Sequence, residues 1–258
     1  MDCTRYRIGD VRKMKIGIFG DSFGFKPSFV LNDIFWVDVI QEKHEIKNYS
    51  KSGTNLYWSY SMIEKYASDF DFLILIVTGP CRYYVPQANS PKVKHAVNLR
   101  FIEDLLKNSQ EFDEDDVNIL NALKQYTIYC LDFPQYALYH TLLVEKIRNK
   151  FSNILLIPSF KGCMAPVTFS VTSETTIGDI GEIDLKYCGE TWESIRLDKR
   201  NAHMSSENNI IFGREVLKYI EGDRNEPFEI DLSLYKKPTM SKNAFREIYF
   251  EPFRFDKV

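Results

Sequence analysis

The sequence has no long uninterrupted run of apolar residues. The longest runs, such as residues 72–77, are far shorter than the roughly 20 residues that a membrane-spanning helix needs. The charged N-terminal stretch also lacks the apolar core of a secretory signal peptide. We therefore expect a cytoplasmic protein without a membrane span, and we interpret residues 1–13 as an N-terminal extension before the first strand.

Patterns that bind metals or nucleic acids are also missing. The chain has 5 cysteines, an odd number, and no two of them show a CxxC or similar spacing. Its 4 histidines form neither an HxH nor an HExxH pattern, which argues against a zinc site. A formal net charge of -3 provides no basic surface for nucleic acid. We expect reduced thiols, no metal, no cofactor and no nucleic-acid partner.

Short apolar runs alternate with stretches of helical periodicity. The predicted strands cover residues 15–19, 45–49, 72–77 and 153–158. The predicted helices cover about residues 28–42, 56–68, 136–150 and 207–220. This alternation is typical of βαβ units and predicts an α/β protein with a central parallel sheet. Continuous apolar strands indicate a sheet that is covered on both faces.

The 258 residues are enough for one large domain with a sizeable core. We place the domain at residues 14–222, with insertions at about 83–132 and 161–199. The acidic run at residues 111–116 is interpreted as a solvated loop. Residues 223–258 are rich in aromatic residues and interrupted by proline, and we expect them to pack on the domain or to contact a partner, including a second copy of the chain.

Each of the first three predicted strands is followed by a polar loop that contains glycine. These loops are GDSFG with Ser22, NYSKSGTN with Gly53, and VTGPCR with Gly79. Taken singly, each has a plain structural interpretation, such as a turn or a helix N-cap at Thr54 or Asn55. Ligands bind at the carboxyl ends of parallel strands, so three such loops together favour a site at that edge.

A possible catalytic base lies far along the chain. His203 stands in the polar segment NAHMSSENN, just before the last predicted helix, and Asp198 lies five residues upstream. A nucleophilic serine needs a base, and the base needs an acceptor that orients it. Ser22, His203 and Asp198 are therefore the candidate catalytic residues.

These segments, in this order, resemble the SGNH hydrolase superfamily, the GDSL-type esterases and lipases. The resemblance spans about residues 15–220 and implies a flavodoxin-like three-layer α/β/α sandwich that hydrolyses esters without a cofactor. It implies Ser22 as nucleophile, the Gly53 backbone N–H as an oxyanion donor and His203 as general base. Asn55 becomes a candidate for substrate binding. The Asp21 carboxylate is expected to brace the turn.

Two positions depart from the family pattern. The third block of the family is Gly-x-Asn-Asp, whereas here Cys81 stands at the position of the oxyanion-binding Asn. The neighbouring Arg82 either donates N–H groups to an oxyanion or pairs with an acid. The family also has Asp three residues before the His, where this chain has Arg200. Asp198 then orients His203, or the site is a Ser–His dyad.

The departures keep other functions open. One alternative is a catalytically degenerate domain that binds a ligand or a protein. Another is a flavodoxin-like phosphate binder, although the chain has no GxGxxG or Walker signature. For an active enzyme, the aromatic residues Tyr57, Trp58, Tyr83 and Tyr84 favour an O-acetylated carbohydrate as substrate, because such rings stack on sugars. The same residues serve equally well in packing.

Overall fold

A computed structural model describes most of the chain. The described residues are 13–26, 34–80, 82–94, 99–159, 176–180, 204–222, 224 and 228–235. Within them, no helix is long and apolar enough to cross a membrane. The same residues contain no group of three or more His, Cys, Asp or Glu side chains that could hold a metal ion.

A four-stranded parallel sheet forms the centre of the molecule. Its strands are β1 (Lys15–Phe19), β2 (Glu45–Asn48), β3 (Phe72–Val77) and β4 (Ile154–Pro158), in the order β2-β1-β3-β4. In register, Ile18 lies beside Asn48 on one side and Ile74 on the other. The carboxyl ends of all four strands therefore meet at one edge, which confirms the predicted α/β class with a central parallel sheet.

Helices cover both faces of the sheet. The described helices are α1 (Trp36–Gln41), α2 (Leu56–Tyr66), α3 (Pro91–Lys94), α4 (Leu99–Lys107), α5 (Glu114–Tyr129), α6 (Phe133–Lys150) and α7 (Ser206–Glu221). The connection from β1 to β2 and the connection from β2 to β3 cross the sheet in opposite directions. Right-handed crossovers therefore place α1 and α2 on opposite faces. α7 packs against α1, and α6 packs against α2.

The main core lies between these layers. All six residues of β3 are buried, since a central strand of a doubly covered sheet meets side chains on both faces. On one face, the rings of Trp36 and Phe212 meet edge to face, with centroids 5.4 Å apart. Close approach of α1 and α7 depends on Gly213, because a Cβ there would lie 2.7 Å from the Trp36 carbonyl oxygen.

The segment that connects β3 to β4 forms a second, smaller core. We call residues 82–94 and 99–131 the insertion. Its buried apolar side chains are Tyr83, Ala88, Val93, Ile102, Leu105 and Leu120. They pack together separately from the side chains that cover the sheet.

The acidic run is not the solvated loop that we predicted. Asp113 is the N-cap of α5, and Glu114, Asp115 and Asp116 lie in its first turn, whereas Glu111 ends a short 3-10 helix before it. Acidic side chains stabilise a helix N-terminus, because the unpaired N–H groups and the helix dipole are positive there. Asp116 is buried and accepts hydrogen bonds from the backbone N–H groups of Asn89 (2.8 Å) and Ser90 (2.7 Å).

Two helix starts also differ from the prediction. α1 begins at Trp36, and Phe35 before it is extended, with φ -98° and ψ 151°. The Phe35 N–H donates to Asp38 Oδ2 (2.8 Å), and this bond caps the helix at Phe35. Residues 34 and 35 of the predicted helix therefore lie before its first turn. The earlier part of that predicted helix lies outside the described residues. α6 begins at Phe133, three residues earlier than expected, because Asp132 caps it.

Part of the C-terminal segment packs on the domain. Phe228, Ile230 and Tyr235 are buried and join the main core. The Tyr235 hydroxyl donates to the Glu215 carboxylate of α7. Burial raises the pKa of both groups. The predicted domain limits stay a prediction, since much of both termini lies outside the described residues.

Candidate active site

The first loop of the site follows β1. Asp21 is fully buried and Ser22 is nearly so. The Phe23 N–H donates to Asp21 Oδ1 (3.0 Å), and the Gly24 N–H donates to the Asp21 carbonyl (3.1 Å). These two bonds close a tight turn that carries Ser22. Asp21 contacts this turn through Oδ1, and its role as a brace stays a prediction.

The second loop, after β2, lies directly against the first. The Lys51 N–H and the Thr54 hydroxyl both donate to the Gly20 carbonyl, at 3.0 Å each. Gly53 has a φ of 78°, a left-handed conformation that favours glycine. The loop therefore holds Gly53 beside the turn that carries Ser22, at the same edge of the sheet.

The third loop, after β3, contributes Arg82. Its Nη1 lies 3.1 Å from Asp21 Oδ2 and donates to the Thr54 carbonyl at 3.4 Å. Of the two roles left open for Arg82, pairing with an acid is therefore present in the structure. The arginine side chain is 12% exposed, so the ion pair is largely shielded from water. Cys81 lies outside the described residues.

Asn55 caps the helix that follows the second loop. Its side-chain oxygen accepts a hydrogen bond from the Trp58 N–H (2.9 Å). This bond satisfies one of the N–H groups that a helix N-terminus leaves unpaired. The cap uses one of the two lone pairs of this oxygen, and a role of Asn55 in substrate binding stays a prediction.

A cleft of about 190 Å³ opens beside these loops. It lies between the start of α2, the end of β3 and the first half of α6. Its lining residues are Asn55, Leu56, Tyr57, Gly79, Pro80, Arg82, Tyr136, Tyr139, His140 and Leu143. Four of the residues selected from sequence, Asn55, Tyr57, Gly79 and Arg82, therefore share one cleft with two further tyrosines, Tyr136 and Tyr139.

The sequence reasoning missed His140. This buried histidine of α6 has its Nε2 at 2.7 Å from the Thr78 carbonyl, just past β3. A carbonyl only accepts, so we assign the proton to Nε2. Burial lowers the pKa of His140, and the bond to Thr78 partly offsets this effect. The helical spacing of Tyr136, His140 and Leu143 within a predicted helix was the signal that could have identified this face.

The aromatic candidates divide between packing and exposure. Tyr83 is buried in the core of the insertion, and its hydroxyl bonds with the Thr127 hydroxyl (2.8 Å). Tyr57 is 61% exposed at the rim of the cleft, as is Tyr139 at 57%. Tyr83 therefore serves packing, whereas the side chains of Tyr57 and Tyr139 are exposed at the cleft.

The predicted base and its acceptor remain predictions. His203 and Asp198 lie outside the described residues. The described chain resumes at Met204, and Ser205 caps α7 by accepting from the Asn208 N–H (3.3 Å). The Trp36 N–H donates to Asn209 Oδ1 (3.3 Å), which joins the start of α7 to the start of α1.

The fold and the site define an α/β protein with a candidate ligand site at the carboxyl edge of its parallel sheet. No known family model matches the chain. No curated protein matches it either. A solved structure that it resembles is that of a candidate lipolytic protein of the G-D-S-L family from Desulfitobacterium hafniense DCB-2. The sequences are 14% identical, the match covers 79% of this chain and 98% of the other, and the TM-score is 0.33. At those values the likeness carries no argument about activity.

Proposed function

We propose that the protein is a serine hydrolase that cleaves a carboxylic ester. The observation that carries the proposal is the position of Ser22, on a braced turn at the carboxyl end of β1 and against the loop that holds Gly53. A nucleophile on a tight turn beside backbone N–H groups is the arrangement that acyl transfer requires.

In the proposed mechanism, Ser22 Oγ attacks the ester carbonyl carbon and His203 accepts the serine proton. The backbone N–H groups of Ser22 and Gly53 stabilise the negative oxygen of the tetrahedral intermediate. The C–O bond to the alcohol then breaks, and His203 returns the proton to the leaving oxygen. Water, deprotonated by His203, cleaves the acyl-enzyme and regenerates Ser22. Asp198 orients His203 by accepting its other N–H.

The cleft supports a small, neutral substrate, and we propose an O-acetylated carbohydrate. Its volume of about 190 Å³ is below the roughly 300–1,000 Å³ of sites for drug-sized ligands. Among the lining residues in the described part of the chain, Arg82 carries the permanent charge, and Asp21 neutralises it. The exposed rings of Tyr57 and Tyr139 offer stacking surfaces for a sugar.

Covalent labelling tests the nucleophile. A fluorophosphonate probe should label the native protein, and the Ser22→Ala and His203→Ala variants should lose the label. Hydrolysis of acetyl esters should fall on the order of 10⁶-fold in Ser22→Ala, as when the serine of a complete triad is removed. Ser61→Ala is the matched control, because Ser61 lies in α2 and its hydroxyl donates to the Trp58 carbonyl of its own helix. Undiminished labelling of Ser22→Ala would refute the assignment.

A panel of esters tests the substrate. Acetylated sugars should be hydrolysed faster than long-chain acyl esters, because the cleft is small. Tyr57→Ala and Tyr139→Ala should raise KM for an acetylated sugar several-fold, through loss of ring stacking, and leave hydrolysis of ethyl acetate unchanged. A preference for long acyl chains would contradict the carbohydrate proposal.

One observation favours a second candidate, a domain that binds such esters without cleaving them. Arg82, next to the position of the family's oxyanion amide, is committed to Asp21. Under this alternative, calorimetry would detect an acetylated sugar binding to the native protein, while neither labelling nor hydrolysis would occur.

A further inference from the structure

One carboxylate and its arginine partner together join the loops that follow all four strands. Asp21, just past β1, forms an ion pair with Arg82 after β3 (Oδ2 to Nη1, 3.1 Å), and the same oxygen accepts from the Ser159 hydroxyl after β4 (3.2 Å). The same Arg82 nitrogen donates to the carbonyl of Thr54, in the loop after β2 (3.4 Å). These contacts bring together parts of the chain that are far apart in sequence.

The partners of Arg82 are the chain neighbours of the proposed catalytic groups. Asp21 directly precedes the nucleophile Ser22, and Thr54 directly follows the oxyanion-binding Gly53. Arg82 Nη1 therefore connects the turn that carries the nucleophile to the loop that carries an oxyanion donor. The distance between those two groups is what acyl transfer depends on.

The burial of the pair points to geometry more than to stability. Asp21 is fully buried and the Arg82 side chain is 12% exposed. Removing two charges from water is costly, and well-packed apolar residues often stabilise a protein as much as a buried ion pair does. Separating the two partners would leave a buried charge without compensation, so the pair opposes displacement of either loop.

We propose that Asp21 and Arg82 form a positioning pair, which holds the Ser22 turn against the Gly53 loop in the geometry needed for attack. The proposal rests on the proposed hydrolase function. It gives Arg82 the role of a positioning residue that acts through Asp21 and Thr54, in place of a direct contact with the oxyanion.

The test measures fluorophosphonate labelling rate, kcat and KM in Asp21→Asn, Arg82→Met, Arg82→Lys and the Asp21→Asn/Arg82→Met double variant. Displacing the nucleophile by about 1 Å can cost on the order of 10²-fold in rate. We expect that loss in kcat and in labelling rate for each of the first two variants, with KM nearly unchanged. Arg82→Lys should recover part of the rate. The double variant should lose little more than either single variant, since each single variant already breaks the ion pair between Asp21 and Arg82.

Asp116→Asn is the matched control. Asp116 is a buried carboxylate of the insertion that accepts two backbone N–H groups, so its replacement also disturbs a buried acid. All variants are compared at a urea concentration and temperature at which circular dichroism shows them folded. We expect Asp116→Asn to lower stability and to keep the labelling rate of the native protein.

The outcomes separate the two proposals. Asp21→Asn and Arg82→Met labelled at the native rate, with Ser22→Ala unlabelled, would overturn the positioning pair and leave the hydrolase intact. The positioning pair would also be overturned if Asp116→Asn slowed labelling as much as Asp21→Asn and Arg82→Met do. A rise in KM of those two variants as large as their fall in kcat would overturn it as well, because a general loosening of the fold would then explain the loss. A native protein that is neither labelled nor active would overturn both.

Discussion

The sheet edge and the insertion each contain a buried aspartate that holds loops together, but the two use it differently. Asp116 of the insertion accepts from backbone N–H groups 26 and 27 residues away. Asp21 of the sheet edge accepts from the Ser159 hydroxyl, 138 residues away, and pairs with Arg82. The insertion closes on itself, whereas the edge is assembled from the whole domain.

This difference separates a feature of folding from a feature of the candidate site. Backbone N–H groups provide hydrogen bonds to the buried carboxylate of Asp116 without adding a second charge. Such bonds hold a loop against the start of a helix. The edge instead retains a charged partner, the Arg82 guanidinium, which also lines the cleft. Buried charge at an open cleft marks the edge as the region to test for chemistry.

The largest effect should come from closing the space at the sheet edge with Gly20→Ala. A Cβ at Gly20 would lie 2.6 Å from Ile76 Cβ and 2.8 Å from the Ile76 carbonyl oxygen, and φ is 141°. Strain and overpacking together should lower the free energy of unfolding by about 3 kcal/mol or more. Urea unfolding measures the loss, and labelling of Ser22 should disappear with it. Retained labelling and a loss below about 1 kcal/mol would show that the edge can adjust.

A paired truncation should show whether the two cores are independent. Leu120→Ala in the insertion and Leu156→Ala in β4 each remove a fully buried side chain, at a cost of about 2–5 kcal/mol. We expect Leu120→Ala to speed hydrogen exchange in α4 and α5 while β1 to β4 stay protected. Leu156→Ala should expose the sheet. Equal exposure of the sheet by both variants would break the comparison, because the cores would then unfold as one.

The smallest effect concerns acid stability at the edge. The pKa of folded His140 lies below its ordinary value of 6.5, mainly because of burial. As pH falls below that value, the unfolded chain binds a proton that the folded protein does not, so stability falls. Urea unfolding between about pH 7 and pH 5 should show this loss. His140→Gln keeps a donor for the Thr78 carbonyl and should reduce the slope of the free energy of unfolding against pH.

His44 sets a limit on that reduction. Burial lowers its pKa as well, so it contributes a loss of the same sign over the same pH range. The slope of His140→Gln should therefore be smaller than that of the native protein without reaching zero. An unchanged slope would show that His140 accepts a proton in the folded state as readily as in the unfolded one.

The strands could be predicted from sequence more closely than the helix starts. β1 and β3 have the predicted limits, because each apolar run is closed by glycine or a polar residue, Gly20 after β1 and Thr78 after β3. The start of α1 could not be predicted, because Ile34, Val37 and Ile40 share a helical spacing across the position where Asp38 binds the Phe35 N–H and caps the helix. Local capping competed with periodicity, and capping prevailed.

For the site, sequence could select loops but not contacts. The prediction grouped Ser22, Gly53 and Arg82 at one edge, because parallel strands share a carboxyl edge. It left the partner of Arg82 open and did not include His140, since both depend on which side chains of distant segments meet. The roles of His203 and Asp198 stay predictions.

By itself, the sequence determined the alternation of strands and helices, and hence the parallel sheet with polar loops at one edge. Periodicity and glycine position are local properties, and local properties set local structure. Only the tertiary structure decided that Arg82 binds Asp21 and that His140 binds the Thr78 carbonyl. It also decided that tyrosines of α2 and α6 line one cleft together with Arg82 and His140. Such contacts form because burial removes water from charged and polar groups, which then bind partners within the protein.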